Sequence, residues 1–224
     1  MYQWELATAI VGYLMKIHPF NQPDVEAAKI RARDLIEGPQ STNSPPKTIL
    51  SPAEQYIQLT DVNNNTSNIT AGLDQLIAHG SKNHSYLAIQ AYLHPKFETR
   101  ELLKMLRQQL QKLSSFATTI GYGPRYLHST GQLHKGDAGH GLFLQITAEP
   151  NTDVVIPNRI ANDNESLSFG TLVKAQAQGD AEILKSKGRL VLQINLGSDV
   201  IFGLEQIIQA LSNKIRPVDS ETKS

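Results

Sequence analysis

The sequence predicts an α/β chain: a three-layer, mainly parallel sheet flanked by helices, preceded by a pair of N-terminal helices. Three observations carry this. From about residue 52 onward, apolar runs of strand length alternate with amphipathic stretches of helix length. A polar stretch with three prolines and three serines (38–51) separates that region from the first 37 residues. The chain has 224 residues, 40% of them hydrophobic, which is enough to bury a core. The expected division is therefore a helical segment (1–37), a linker (38–51), an α/β domain (52–216) and a polar tail (217–224).

Residues 2–17 predict a helix, with Trp4, Ala7, Val11, Leu14 and Met15 on one stripe. It opens at once with an apolar face. That face needs something to lie against, with Trp4 and Tyr13 packing on a neighbour, so the chain reads as starting where a larger protein was cut or where a separate gene now starts. Pro19 and Pro23 break the helix. A second helix starts at Pro23, where Asp24 and Glu26 suit the positive helix end, and Gly38-Pro39 stops it.

In the α/β region, 52–60 reads as a short helix and 61–68 as an Asn-rich loop. Residues 70–79 form a helix with Leu73, Leu76 and Ile77 inward, and 86–93 an apolar strand. Residues 98–114 form an amphipathic helix on Leu102, Leu103, Leu106 and Leu110. Residues 116–120 form a strand leading into a Gly-Pro-punctuated segment. Strands at 142–148 and 189–196 alternate with helices at 168–187 and 199–214. The 168–187 helix is expected to face inward through Phe169, Leu172, Val173 and Ala177, with Gly179 as a packing position. Ligands of such sheets bind beyond the carboxyl ends of the strands.

Composition narrows the function. Lys+Arg and Asp+Glu are 21 each, so the net charge is zero. This argues against the basic footprint of a nucleic-acid or anionic-membrane binder. The absence of cysteine rules out disulfides, thiolate metal sites and a cysteine nucleophile. No apolar run approaches a membrane span, and residues 1–17 lack the basic start of a signal peptide. A cytoplasmic location is expected. The Asn-x-Ser/Thr sequons starting at Asn64, Asn65, Asn68 and Asn83 read as by-products of composition.

Two segments carry candidate chemistry. In His18–Lys29, a proline-bounded loop delivers Gln22 to a helix start, and Lys29 follows two turns later. Gln22 can donate and accept hydrogen bonds to hydroxyls or phosphate, and Lys29 can neutralise a phosphate or act as an acid/base. The same residues also read as a plain helix start with a solvated lysine. In Gly121–Asp137, Arg125, His128, Ser129, Thr130, Gln132, His134 and Lys135 gather after a strand. Ser129, Thr130 and the Gly131 amide can make a small anion nest, and the two histidines can titrate near neutrality. Equally, these side chains can cap a helix and satisfy buried backbone. No carboxylate lies between the histidines, so no metal or cofactor is expected, and no G-x-S-x-G motif occurs.

The first segment resembles the C-terminal signature of glucose-6-phosphate isomerases: Asn-Pro-Phe-Asp-Gln, then Pro or Trp, then Val-Glu and a Lys. Gln22, Val25, Glu26 and Lys29 match, while His18 and Asn21 replace the usual Asn and Asp. The resemblance implies that Gln22 contacts a sugar phosphate and that Lys29 assists ring opening. The second segment is similar to the tail of fused bacterial transaldolase/glucose-6-phosphate isomerases. The matching stretches are GPRYLHSTGQLHKG (123–136), GLFLQIT (141–147), Ile156-Pro157 and SFGTLVKAQAQGD (168–180), with Asp137 where a second Gly is usual. Together the likeness spans about residues 2–200. It implies a sugar-isomerase (SIS) fold and a chain that contributes Lys29 and Gln22 to an isomerase active site. The catalytic base and main phosphate loop would then come from upstream SIS domains, in cis or in trans. The expected ligand is a sugar phosphate, and a homo-oligomer is possible. Two other readings stay open: a non-catalytic sugar-phosphate-binding module and a structural, oligomerising one.

Overall fold

The computed structural model describes residues 1–38, 48–49, 56–57, 68–157 and 167–215. The body of the expected linker (39–47), most of the Asn-rich loop and the 217–224 tail lie outside the described residues.

Helix α1 (Tyr2–Met15) ends at Lys16, which takes left-handed backbone (φ 57°) and returns its N–H to the last turn. Gly12 is its one buried residue: a Cβ there would lie 2.6 Å from Pro19 of the following loop. The predicted stripe does not turn inward. Trp4 is 79% exposed, and Val11, Leu14 and Met15 are also open to solvent. Helix α2 (Pro23–Glu37) takes Pro23 in its first turn, where a missing N–H costs nothing, and buries Val25, Ala28 and Ala32.

Residues 52–60 were expected to be a short helix. Instead Tyr56–Ile57 is a strand (β2), paired antiparallel with Thr48–Ile49 (β1), which itself falls inside the expected linker. Short apolar runs fit either period, and strand pairing decides between them.

Helix α3 (Ile69–Ala78) is capped by Asn68, whose side chain accepts the Ala71 N–H at 2.8 Å. It is followed by β3 (Tyr86–Tyr92), α4 (Phe97–Ser114) and β4 (Ala117–Tyr122). The expected loop after β4 contains two helical turns: a 3-10 turn at Arg125–His128 and the short helix α5 (Gly131–Gly136). Then come β5 (Gly141–Thr147), α6 (Phe169–Ser186), β6 (Leu190–Asn195) and α7 (Val200–Ile215).

The four long strands form one parallel sheet in the order β4-β3-β5-β6. Strand alternation gives it two different faces. Leu87, Ile89, Ala91, Leu142, Leu144, Ile146, Leu192 and Ile194 pack beneath α3, α4 and α7 in the main core, joined by Leu73, Leu76, Leu103, Leu106 and Leu110. On the other face, Ala88, Phe143 and Val191 meet Ala181 and Leu184 of α6. The architecture is a three-layer α/β fold, with α2 lying along α6 and against α5. Phe169, expected to face inward, is exposed; the buried face of α6 runs through Ala175, Ala177, Asp180, Ala181 and Leu184. No described helix is long and apolar enough to cross a membrane.

Candidate functional site

The α6-side face of the sheet is lined by polar groups. Gln90, Gln145 and Gln193 stand in register on adjacent strands. Gln193 donates to Gln145 at 2.8 Å, and Gln145 donates to the Ala177 carbonyl at 3.0 Å. Gln90 donates to Nδ1 of His134 at 3.4 Å. Helix α5 thus sits over the sheet with two polar side chains pointing inward, His134 and Lys135.

Lys135 is fully buried. Its ammonium is bonded to Asp180 of α6, also fully buried, and reaches the Gly131 carbonyl at 3.3 Å. Tyr126 donates its only hydroxyl proton to the second Asp180 oxygen, so Tyr92 is the donor in the 3.2 Å contact between the two phenols. The carboxylate therefore has two donors, which is what makes its burial tolerable. Burial pushes both phenols well above their ordinary range, helped by the Asp180 charge, so both stay neutral donors. His134 is held down to about 4: burial disfavours the imidazolium and Lys135 adds repulsion, which outweighs attraction from Asp180 and Asp137.

Arg189 closes the end of α5. Its guanidinium donates to the Lys135 and Asp137 carbonyls at 3.0 and 2.7 Å and pairs with the Asp137 carboxylate at 2.9 Å. Asp137, at the position where the resemblance has a second Gly, takes an ordinary extended conformation (φ −68°).

The start of α2 docks on this unit. The Asp24 N–H donates to Gln132 Oε1 at 3.1 Å, and Gln132 Nε2 donates back to the Asp24 carboxylate at 2.8 Å. Lys187 pairs with the other Asp24 oxygen at 2.7 Å. Burial raises the Asp24 carboxyl, but the hydrogen bond and charge of Lys187, with Gln132, outweigh it and leave the group below the ordinary carboxylate value.

The predicted site residues thus fall into two sets. Gln132, His134 and Lys135 are engaged inside the protein, so their polar groups serve the fold and do not line an open site. The reason is that α5 is helical and turns its face toward the sheet. Gln22, Lys29, Arg125, His128, Ser129 and Thr130 are exposed. Gln22 precedes α2 and makes no side-chain cap. Lys29, half exposed, pairs with Glu26 at 2.7 Å, one turn away. Ser129 donates to the Tyr126 carbonyl at 3.1 Å, and Thr130 precedes α5 without capping it. Among the described residues no cluster of three His, Asp or Glu side chains could hold a metal.

The sequence places Asp180 on a helix expected to pack (168–187) and Asp24 at a helix start, and singles out neither Tyr92 nor Tyr126. One signal was present: an aspartate spaced with Ala177, Ala181 and Leu184 lies on the buried face of α6.

No protein-family model matches the chain, and no curated protein is significantly similar to it. The fold is similar to the crystal structure of a hypothetical protein from Thermus thermophilus, with a TM-score of 0.51 and 17% identity. The match covers 83% of this chain and 43% of that one, so the chain spans less than half the length of that protein. At that identity the likeness shows the fold alone.

Proposed function

We propose that the chain is the C-terminal portion of a glucose-6-phosphate isomerase, completed by upstream SIS domains in cis or in trans. The observation that carries this reading is the reciprocal pair between Asp24 and Gln132. It joins the two segments whose sequences resemble that enzyme class, although they lie 108 positions apart. Two matching motifs that also share one packed unit are harder to attribute to chance than either alone.

Aldose-ketose interconversion opens the sugar ring, then moves a proton between C2 and C1 through an enediol. In this reading Lys29 donates a proton to the ring oxygen as the C1–O5 bond breaks, a group of the upstream domains takes the C1 hydroxyl proton, and Gln22 hydrogen-bonds the phosphate. Glu26 positions Lys29. The base at C2 belongs to the upstream domains, so the isolated chain turns nothing over.

Two measurements test this. Replacing Lys29→Ala in the enzyme completed by its SIS domains lowers turnover by ~10²-fold or more if the lysine is the acid; an unchanged rate removes it from the mechanism. Calorimetry of fructose 6-phosphate on the isolated chain, with Ser129→Ala beside it, asks whether this piece binds by itself. Isomerisation at enzymatic rates by the isolated chain would refute the missing base.

One observation favours the second reading, a structural or oligomerising module. Helix α1 exposes Tyr2, Trp4, Leu6, Ile10, Val11, Tyr13, Leu14 and Met15. By helical geometry these cover roughly two-thirds of its circumference, and a face of that size marks an interaction surface. Trp4 is the single tryptophan, so its emission reports whether the helix is covered. A blue shift that grows with protein concentration would favour self-association.

A further inference from the structure

His84 and His140 lie side by side at the amino end of the sheet. Their ring centres are 5.6 Å apart, with an angle of 28° between the ring planes. The sheet sets this placement. Strands β3 and β5 run parallel with Tyr86 opposite Gly141, and the Tyr86 N–H donates to the His140 carbonyl at 3.2 Å. His140 therefore stands directly ahead of β5, and His84 two residues ahead of β3.

Both lead-in turns are held by hydrogen bonds. The Ser81 carbonyl accepts the His84 and Ser85 N–H groups at 3.1 and 2.9 Å, and Ser85 Oγ accepts the Ser81 N–H at 2.9 Å. On the β5 side, the Asp137 carboxylate accepts the Gly139 N–H at 3.0 Å and pairs with Arg189 at 2.9 Å. That pairing also matches the nearby guanidinium charge. Gly139 turns the chain at φ 90°, a conformation that glycine adopts without strain.

Both histidines are exposed, and neither imidazole has a hydrogen-bond or ion-pair partner among the described residues. Other histidines are engaged. His79 bonds the Gln75 carbonyl at 2.7 Å, His18 accepts the Phe20 N–H at 3.3 Å, and His134 is buried. Two accessible imidazoles with unused nitrogens, brought together by separate strands, are what chelation needs. With each ring nitrogen about 2.0 Å from a tetrahedral metal ion, the two ring centres lie about 5 to 6 Å apart. The pair already has that separation.

We propose that His84 and His140 together bind one late first-row divalent transition-metal ion per chain, with water in the remaining positions. Imidazole suits Cu2+, Ni2+ and Zn2+, with Cu2+ the tightest, whereas Mg2+ and Ca2+ require oxygen ligands. Two protein ligands are fewer than structural or catalytic zinc sites use, so the ion exchanges with solvent. While bound, it clips the turn before β3 to the loop before β5 and stabilises the folded chain by mass action. The site involves neither Lys29 nor Gln22, so its failure and that of the isomerase reading are separate.

The test is calorimetry of Cu2+, Zn2+ and Mg2+ on the full chain without an affinity tag, with thermal unfolding alongside. Cu2+ binds more tightly than Zn2+, Mg2+ does not bind, and Zn2+ raises the unfolding temperature. His84→Ala and His140→Ala each weaken Zn2+ binding by ~10-fold or more and remove the thermal shift. The double variant loses little beyond either single one, because a chelate is broken by loss of one arm. His94→Ala, at an exposed histidine after β3, leaves binding unchanged. Both proposed ligands are exposed, so circular dichroism of the variants matches the parent. No Zn2+ or Cu2+ binding at millimolar metal, or binding that survives either single substitution, overturns the proposal and leaves the two rings as a stacked surface pair.

Discussion

Asp180 and Lys135 form an ion pair in which neither side chain keeps any solvent-exposed surface. The pair fixes α5 on α6 and aligns Tyr126 beneath them. Such a pair adds little net stability over an apolar one, yet removing a single member leaves an uncompensated buried charge. Asp180→Ala should therefore destabilise the chain by ~3–5 kcal/mol in urea unfolding. The double replacement Lys135→Met with Asp180→Leu should recover most of that. A single-variant loss below ~1 kcal/mol would mean that water reaches Lys135.

His134 makes stability fall on mild acidification. Its folded-state value of about 4 lies below the ordinary 6.5. Above 6.5 the imidazole is neutral in both states. As the pH drops through 6.5, the unfolded chain takes up a proton that the folded chain refuses. Stability therefore declines from 6.5 to about 4, by on the order of 3 kcal/mol, and then levels off for this group. The depressed Asp24 carboxyl acts in a lower window, losing its contribution as the pH falls below its ordinary 3.8. Urea unfolding at stepped pH should show the first slope, and His134→Gln should flatten it.

Much of the architecture is legible in the sequence because long elements repeat their pattern. The leucines of α4 and the apolar runs of β3, β5 and β6 each present one period over several turns or residues, and the structure follows them within one or two positions. Tyr56–Ile57 is different: a short apolar run fixes no period, and the strand assignment comes from its partner Thr48–Ile49. The candidate site was harder still. His134 and Lys135 look like surface residues in any local window, and only Asp180 on a distant helix and Gln90 on a distant strand explain their burial. The exposed face of α1 was legible as apolar, but what covers it was not.

Gly179 sets how closely two helices cross. A Cβ at this position would lie 2.9 Å from the Ala32 nitrogen and 3.1 Å from the Ala28 carbonyl oxygen, both backbone atoms of α2. Backbone cannot swing aside as a flexible side chain can. Gly179→Ala gains helix propensity on α6 but forces α2 outward, and a net loss of ~1–3 kcal/mol is expected. Unfolding of the variant measures it. A stabilised variant would mean that α2 does not lie against α6 in solution.

Gln132 makes the joint on which the functional reading depends. Its amide both accepts from the Asp24 N–H and donates to the Asp24 carboxylate, while Lys187 holds the other carboxylate oxygen. Gln132→Ala removes two bonds and leaves the ion pair, so a loss of ~1–3 kcal/mol is expected, not unfolding. The specific sign is local. The Asp24 amide loses its acceptor, and its hydrogen exchange should accelerate more than that of amides in the sheet core, such as Leu144. If Gln22 and Lys29 act together with the α5 segment, fructose 6-phosphate should also bind more weakly to the variant. Faster Asp24 exchange with unchanged sugar-phosphate affinity would show that the two motifs share a scaffold but not a ligand.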